Sequence, residues 1–487
     1  VNSLFYVVYI KLGGDEMSLI SAYLTPHPPL IIESIGGSER QKVADTIKSM
    51  EIMADEIAEL KPETIIVITP HGPLFSDGVA IMYEKILKGN FNAFGEMDYT
   101  FSRENDLELI DEITHEITET YGLGGALIDK EAAQYFGTSC ELDHGVLVPL
   151  HFIDQKYKNY KLISIAYGLL SYQDLYKVGI SISKAVNRFD RKVVLIASGD
   201  LSHRLMDSGP YDYHPSGLAF DKKIITLLEE KKTVEIISMD PDFCEEAGEC
   251  GKRSIDIMLG ALDGYDYDAD LLSYEGPFGV GYGVMRFRGI TSNNTSLLLE
   301  IEQSRMAYVE QMRSVESDYV RLARESIEKF IREDETLHFK HSRYFAIPEL
   351  KSVRKGVFVS IKDSGGLRGC IGTYRPSENC LGEEIVHNAI SACSKDPRFP
   401  VVGIEELNDL TITVDILESP EETKNIDELD SQIYGVIVTS GFRKGLLLPH
   451  LKGIDTVEEQ LKIARKKAGI PKNEEVRIER FKVERYY

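Results

Sequence analysis

A hexapeptide that occurs twice with one change constrains this chain more than any other feature: Thr25-Pro26-His27-Pro28-Pro29-Leu30 and Thr69-Pro70-His71-Gly72-Pro73-Leu74. Each copy follows an apolar β-type run, Leu19 to Leu24 and Thr64 to Ile68, so each histidine is predicted just past the carboxyl end of a strand. A third run, Val193 to Ala197, leads into Ser198-Gly199-Asp200-Leu201-Ser202-His203. In open α/β sheets the ligand crevice lies outside the carboxyl ends of the strands, so three strands that each deliver a histidine there describe one site. Histidine is the commonest metal ligand and titrates nearest neutrality, and the predicted site is therefore metal-dependent. A single histidine in a Pro-Gly turn is an ordinary solvated loop residue; the repeated context after two similar strands argues otherwise.

Between these runs lie helical patterns. Glu39 to Leu60 spaces Val43, Ile47, Met50, Met53 and Ile57 along one helix face directly before the second motif strand, and Tyr172 to Phe189 precedes the third. Strand, helix, strand is the unit of a parallel sheet. The expected fold of residues 18–289 is an α/β domain with a mostly parallel sheet, closed by a strand over Phe278 to Phe287. The glycines of that last run look like a dinucleotide loop only superficially, because no helix follows. Polar Thr291 to Ser296 predicts a linker over 290–304, and Arg305 to Arg332 a long helix. That helix opens a smaller α+β domain over 305–487, with short strands at Gly356 to Lys362 and Leu410 to Leu417.

A chain of 487 residues exceeds one core, in keeping with this division. Its net charge of −24 argues against nucleic-acid or anionic membrane partners, and no apolar stretch approaches the ~20 residues of a membrane span. The six cysteines form no C-x-x-C pair, so reduced thiols in a cytoplasm are the expectation. Gly13-Gly14-Asp15-Glu16 before Met17 reads like a bacterial ribosome-binding site translated as codons, which predicts that translation starts at Met17.

Two neutral imidazoles plus one anionic ligand on one face of a metal leave positions open for substrate and dioxygen, the arrangement of non-haem Fe(II) oxygenases. The best source of the third ligand is Glu245-Glu246-Ala247-Gly248-Glu249-Cys250-Gly251, which opens a helical pattern over Lys252 to Leu262. The plainer reading of that stretch is an acidic helix start that complements the macrodipole.

The ordered set TPHPPL, TPHGPL, LDHGVLVPL (Leu142 to Leu150), SGDLSH and ECGKRS resembles the class III extradiol ring-cleavage dioxygenases of LigB type and their Memo relatives over residues 18–289. The resemblance implies that His27 and His71 bind Fe(II). Its third ligand is a glutamate in the dioxygenases and a cysteine in Memo proteins; here Glu249 and Cys250 stand side by side, and both stay open. It also implies that His203 is the base, held by Asp200, that His144 is a second acid–base or oxygen-positioning residue, and that the substrate is an aromatic diol or another chelating small molecule.

The second domain resembles the AMMECR family. Gly366-Leu367-Arg368-Gly369-Cys370-Ile371-Gly372 is that family's mark, together with Asn388 to Ala392 and Lys395-Asp396-Pro397-Arg398-Phe399. Gly369 and Gly372 permit close backbone approach, and Arg368 offers a fork for a carboxylate or phosphate. Cys370 reads as a packed small residue in a glycine turn rather than a nucleophile, since Arg368 alone supports a thiolate weakly. The fusion of the two is the arrangement of AmmeMemoRadiSam proteins, which implies a radical S-adenosylmethionine enzyme as partner. The leading expectation is an Fe(II)-dependent oxidoreductase of extradiol type, its AMMECR-type domain binding substrate or partner. The alternatives are a non-catalytic metal-binding or protein-modification accessory, for which a Cys250 thiolate suits Cu(I), and a zinc hydrolase.

Overall fold

The computed structural model describes residues 18–487 except 210, 364–365, 424, 450–455 and 472–473. The expected start at Met17 falls outside the described residues. The chain forms two compact units, one of residues up to Leu205 with Asp221–Ile236 and Glu249–Leu298, the other of Met206–Phe220, Ile237–Gly248 and Leu299–Tyr487.

Eight strands of the first unit make one sheet: β1 (Leu19–Thr25), β2 (Thr64–Thr69), β3 (Gly78–Met82), β4 (Gly124–Ile128), β5 (Lys161–Ala166), β6 (Val193–Ser198), β7 (Tyr265–Glu275) and β8 (Tyr282–Ser292). Their order is β7-β8-β1-β6-β2-β5-β3-β4. The run β1-β6-β2-β5 is parallel, as strand–helix–strand alternation requires, while β8 lies antiparallel to β1 and β3 to β5. Every residue of β2 and β6 is buried, the signature of parallel strands covered on both faces. The expected closing strand begins later than Phe278, at Tyr282, and its partner is the hairpin arm β7.

Helices Ala44–Leu60, His144–Asp154, Tyr172–Phe189 and Lys252–Ala261 belong to this unit. Gly179 and Gly260 let the last two press together: a Cβ on either would collide with main chain of the other helix. Of the expected linker over 290–304, only 293–297 lacks helix or strand. Helical spacing resumes at Leu298 and buries Ile301.

The second unit is α+β. The expected long helix divides into Leu298–Ser314 and Asp318–Glu333, because the Ser317 side chain accepts a hydrogen bond from the Val320 amide and caps a new start. One antiparallel sheet runs Gly366–Thr373, Gly356–Asp363, Leu410–Leu417, Val483–Tyr486. Its core includes Val357, Val359 and Ile361 from the sheet, with Leu322 and Ile327 from helix Asp318–Glu333 and Leu381, Ile385 and Ala389 from helix Leu381–Ser394. A second antiparallel sheet packs on helix Val457–Lys467 through Val436, Val438 and Ala464.

Candidate metal centre

The strands that carry the histidine motifs are neighbours. β6 lies between β1 and β2, with Ser198 opposite Thr25 and Ala197 opposite Ile68. His27, His71 and Asp200 each stand two residues past a strand end, at the same edge of the sheet. The single change between the hexapeptides has a steric reason, since a Cβ on Gly72 would collide with the Ala166 side chain at the end of β5.

Nε2 of His71 lies 2.9 Å from Nε2 of His27, and Sγ of Cys250 lies 3.8 Å from the same His27 nitrogen. Among the described residues, His27, His71 and Cys250 form the group able to share a metal ion, their donor atoms all within 4.8 Å of one another. Two nitrogens bound at about 2.1 Å to one ion are about 3 Å apart when they subtend a right angle, so the nitrogen separation suits a shared ion.

The tautomer of His27 follows from its partners. Ser198 Oγ lies 2.5 Å from the Gly145 carbonyl oxygen, which can only accept, so the hydroxyl proton is donated there. Ser198 Oγ therefore accepts from Nδ1–H of His27 at 3.0 Å, and Nε2 presents a lone pair to the site. Burial, reinforced by the neighbouring imidazoles, holds His27 neutral well below the ordinary histidine range. Ser254 Oγ donates to the Ser198 carbonyl and fastens this strand end to the helix that follows Cys250.

Cys250 is seated by a backbone contact. A Cβ on Gly199 would collide with the Gly251 backbone, and in that close approach the Asp200 amide donates to Cys250 Sγ at 3.2 Å while the Cys250 amide donates to the Asp200 carbonyl at 3.3 Å. Burial and the nearby Asp200 and Glu249 carboxyls push the thiol well above its ordinary range, so a bound cation is what would ionise it. Glu249 does not join the group: its carboxylate accepts from the Lys252 amide at 2.5 Å, inside its own helix start. The acidic helix-start reading applies to Glu249, and the ligand-like placement belongs to Cys250.

The remaining sequence candidates gather here too. The His144 ring stacks on His71 with centroids 4.1 Å apart and meets His27 edge-on at 5.3 Å. It opens helix His144–Asp154, and the capping Asp143 accepts from both the Gly145 amide and Thr69 Oγ1 at 2.7 Å, tying the end of β2 to that helix. His203 is close enough that His71 helps depress it; burial is the larger cause, and each of His144 and His203 is lowered to about 4. All four imidazoles are thus neutral at neutral pH. The Asp200 carboxylate accepts from the His27 amide at 2.9 Å, which ties it to the first histidine turn, where the expectation had it holding His203. Phe94, 41% exposed, stands edge-on to His144 at 5.1 Å and forms an aromatic wall. The sequence motifs gave no role to Ser198 or Phe94; the only signal was a polar residue ending an apolar strand at Ser198.

The AMMECR-type motif is turned inward. Arg368 forks onto Glu406 at 2.6 and 2.9 Å and also donates to the Pro400 and Val401 carbonyls, so the carboxylate that the fork holds is the protein's own. Cys370 lies within a strand rather than a glycine turn; its amide donates to Asp396, which Arg398 clamps in turn. Burial pushes the Cys370 thiol up, which suits packing and not nucleophilic attack. Gly369 and Gly372 are required by close approach, to the Ala392 carbonyl and the Phe358 ring.

Residues 21–285 match the family described as the catalytic LigB subunit of aromatic ring-opening dioxygenase, and residues 320–486 match the AMMECR1 family. A Clostridium acetobutylicum protein is 43% identical over 473 residues, 96% of this chain and 99% of its own length. A Thermotoga maritima protein is 50% identical over 174 residues, 35% of this chain and 98% of its own. Among solved structures, a Pyrococcus horikoshii protein is similar at 31% identity and a TM-score of 0.32, covering 34% of this chain and 88% of that one.

Proposed function

We propose that this chain, which belongs to the LigB family and carries an AMMECR1 domain behind its LigB domain, is a metal-dependent oxidoreductase acting on a catechol-like or otherwise chelating small molecule. The observation that carries the reading is the convergence of His27, His71 and Cys250 with two further neutral imidazoles, His144 and His203, at one sheet edge. A site that only stored a metal would have no use for the extra pair.

In this reading His27, His71 and Cys250 hold the ion, with Fe(II) the leading candidate. When bound, Fe(II) supplies open positions and electron-transfer chemistry for a chelating substrate and dioxygen. His203 accepts a hydroxyl proton from the substrate, and His144 positions or protonates the oxygen-bearing group; both suit this while neutral. Phe94 offers an aromatic ring an edge-on partner beside His144. The AMMECR1 domain binds substrate or partner, the partner being a radical S-adenosylmethionine enzyme.

A second reading has one observation in its favour: the thiol of Cys250 stands where a carboxylate would suit iron. A soft thiolate favours Cu(I) or zinc, and with either the protein is a metal-binding accessory. Anaerobic purification, metal analysis and oxygen uptake with a catechol panel separate the two. The expected result is about one iron per chain and oxygen uptake, with His203→Ala keeping its iron but losing ~10²–10⁴-fold in rate. Copper or zinc in place of iron, with no uptake across the panel, overturns the oxidoreductase reading.

A further inference from the structure

The glycine-rich run before β8 is left without a role by the centre itself. Its backbone is stitched to the segment that carries His203. The Leu201 amide donates to the Gly281 carbonyl at 2.8 Å, the Gly281 amide to the Ser202 carbonyl at 2.7 Å, and the Leu205 amide to the Gly279 carbonyl at 3.0 Å. The missing side chains face the same segment: a Cβ on Gly276 would meet Leu205, on Gly283 Leu201, and on Gly281 both Leu201 and the Asp221 carboxylate. Asp221, fully buried on helix Pro215–Glu229, completes the arrangement. One of its oxygens accepts from the Ser202 amide at 2.7 Å, and the other accepts from the Tyr274 hydroxyl at 2.7 Å.

We infer that Gly276–Gly283, Asp221 and Tyr274 form a seat that positions His203, with Asp221 the positioning residue and the glycine pattern kept open to admit its carboxylate. The chain of contact is short. Tyr274 orients the carboxylate, the carboxylate holds the Ser202 amide, and Ser202 precedes His203. The carboxylate of Asp221 acts on the Ser202 amide, next to His203, whereas the ligands are held by other groups, His27 by Ser198 and Cys250 by the Asp200 backbone. Gly281 is the sensitive point, because a single methyl there competes with Asp221 for space.

The inference rests on the oxidoreductase reading for its purpose, and its test is independent of turnover. The full-length chain is labelled with ¹⁵N-histidine, and the imidazole signals are compared in wild type, Asp221→Ala, Gly281→Ala and Tyr274→Phe, each checked for a cooperative thermal transition. The expected result is a displaced or broadened His203 signal in Asp221→Ala and Gly281→Ala, a smaller change in Tyr274→Phe, unmoved His27, His71 and His144 signals, and a wild-type ratio of bound Zn²⁺ per chain. Where catechol turnover is present, kcat falls by up to ~10²-fold at unchanged KM, the loss typical of a misplaced group. A His203 signal at its wild-type position in folded Asp221→Ala overturns the seat, as does loss of Zn²⁺ together with moved His27 and His71 signals. A wild type without turnover removes the oxidoreductase reading only; the His203 signal still decides the seat.

Discussion

The two parts of the chain use similar vocabularies, glycines beside a cysteine, a charged residue and an acid, and put them to opposite ends. In the LigB domain the glycines bring polar groups together while leaving donor atoms turned toward a shared point: Gly199 against Gly251 sets Cys250 beside the histidines. In the AMMECR1 domain the glycines bring polar groups together so that they consume one another, Arg368 with Glu406 and Cys370 with Asp396 and Arg398. A motif therefore announces close packing, and only the partners of its polar atoms tell a site from a clasp.

The comparison breaks most visibly at the ligands. His27→Ala or His71→Ala should abolish stoichiometric metal binding, and Cys250→Ala should weaken it severely, while Glu249→Gln should keep it, since Glu249 is spent on the Lys252 amide. Metal content by elemental analysis reads all four; loss in Glu249→Gln with retention in Cys250→Ala would reverse the assignment. A smaller effect should come from Ser198→Ala, which removes the acceptor fixing the His27 tautomer and should lower metal affinity ~10–100-fold. Competition with a chelator of known affinity measures it, and wild-type affinity would show the tautomer to be set elsewhere.

The mildest test concerns the clasp. Arg398 in first place, with the Cys370 and Arg398 amides, holds the Asp396 carboxyl down at about 2. A carboxyl depressed by folding contributes stability above its unfolded pKa of about 3.9, and that contribution is lost as pH falls through the folded value. Asp396→Asn should therefore lower the thermal transition of the AMMECR1 domain at pH 6 and flatten its decline between pH 4 and 2, with metal binding untouched. An equally steep acid decline in wild type and variant would show that the clasp contributes nothing through charge.

The sheet and the meeting of the two histidines were legible because repetition multiplies weak signals: two like turns after two like strands place both at one sheet edge. The third ligand was not, because Glu249 and Cys250 are adjacent at a helix start, where consecutive residues point in different directions. What sets them apart in the fold is a long-range contact, Gly199 against Gly251, which seats Cys250, while Glu249 turns to the Lys252 amide of its own helix start. The occupant of the Arg368 fork was hidden for a like reason. A fork is visible in sequence, whereas its occupant Glu406 lies on a later turn. For the glycines before β8, nothing local indicated that their open side would face Asp221.

The place of β6 between β1 and β2 bears on how such a protein is made. Two strands early in the chain cannot adopt their final spacing until a strand from much later slides between them, and Cys250 follows later still. A ribosome that has released only the first two motifs exposes a pair of apolar strands with no partner between them and imidazoles that have nothing to share. Strand pairing of this kind, between distant segments, is slow and leaves sticky edges uncovered while it waits. The His27–His71–Cys250 group is thus completed late in synthesis, gated by topology, and an ion held there would join the turns that follow the two strands that β6 separates.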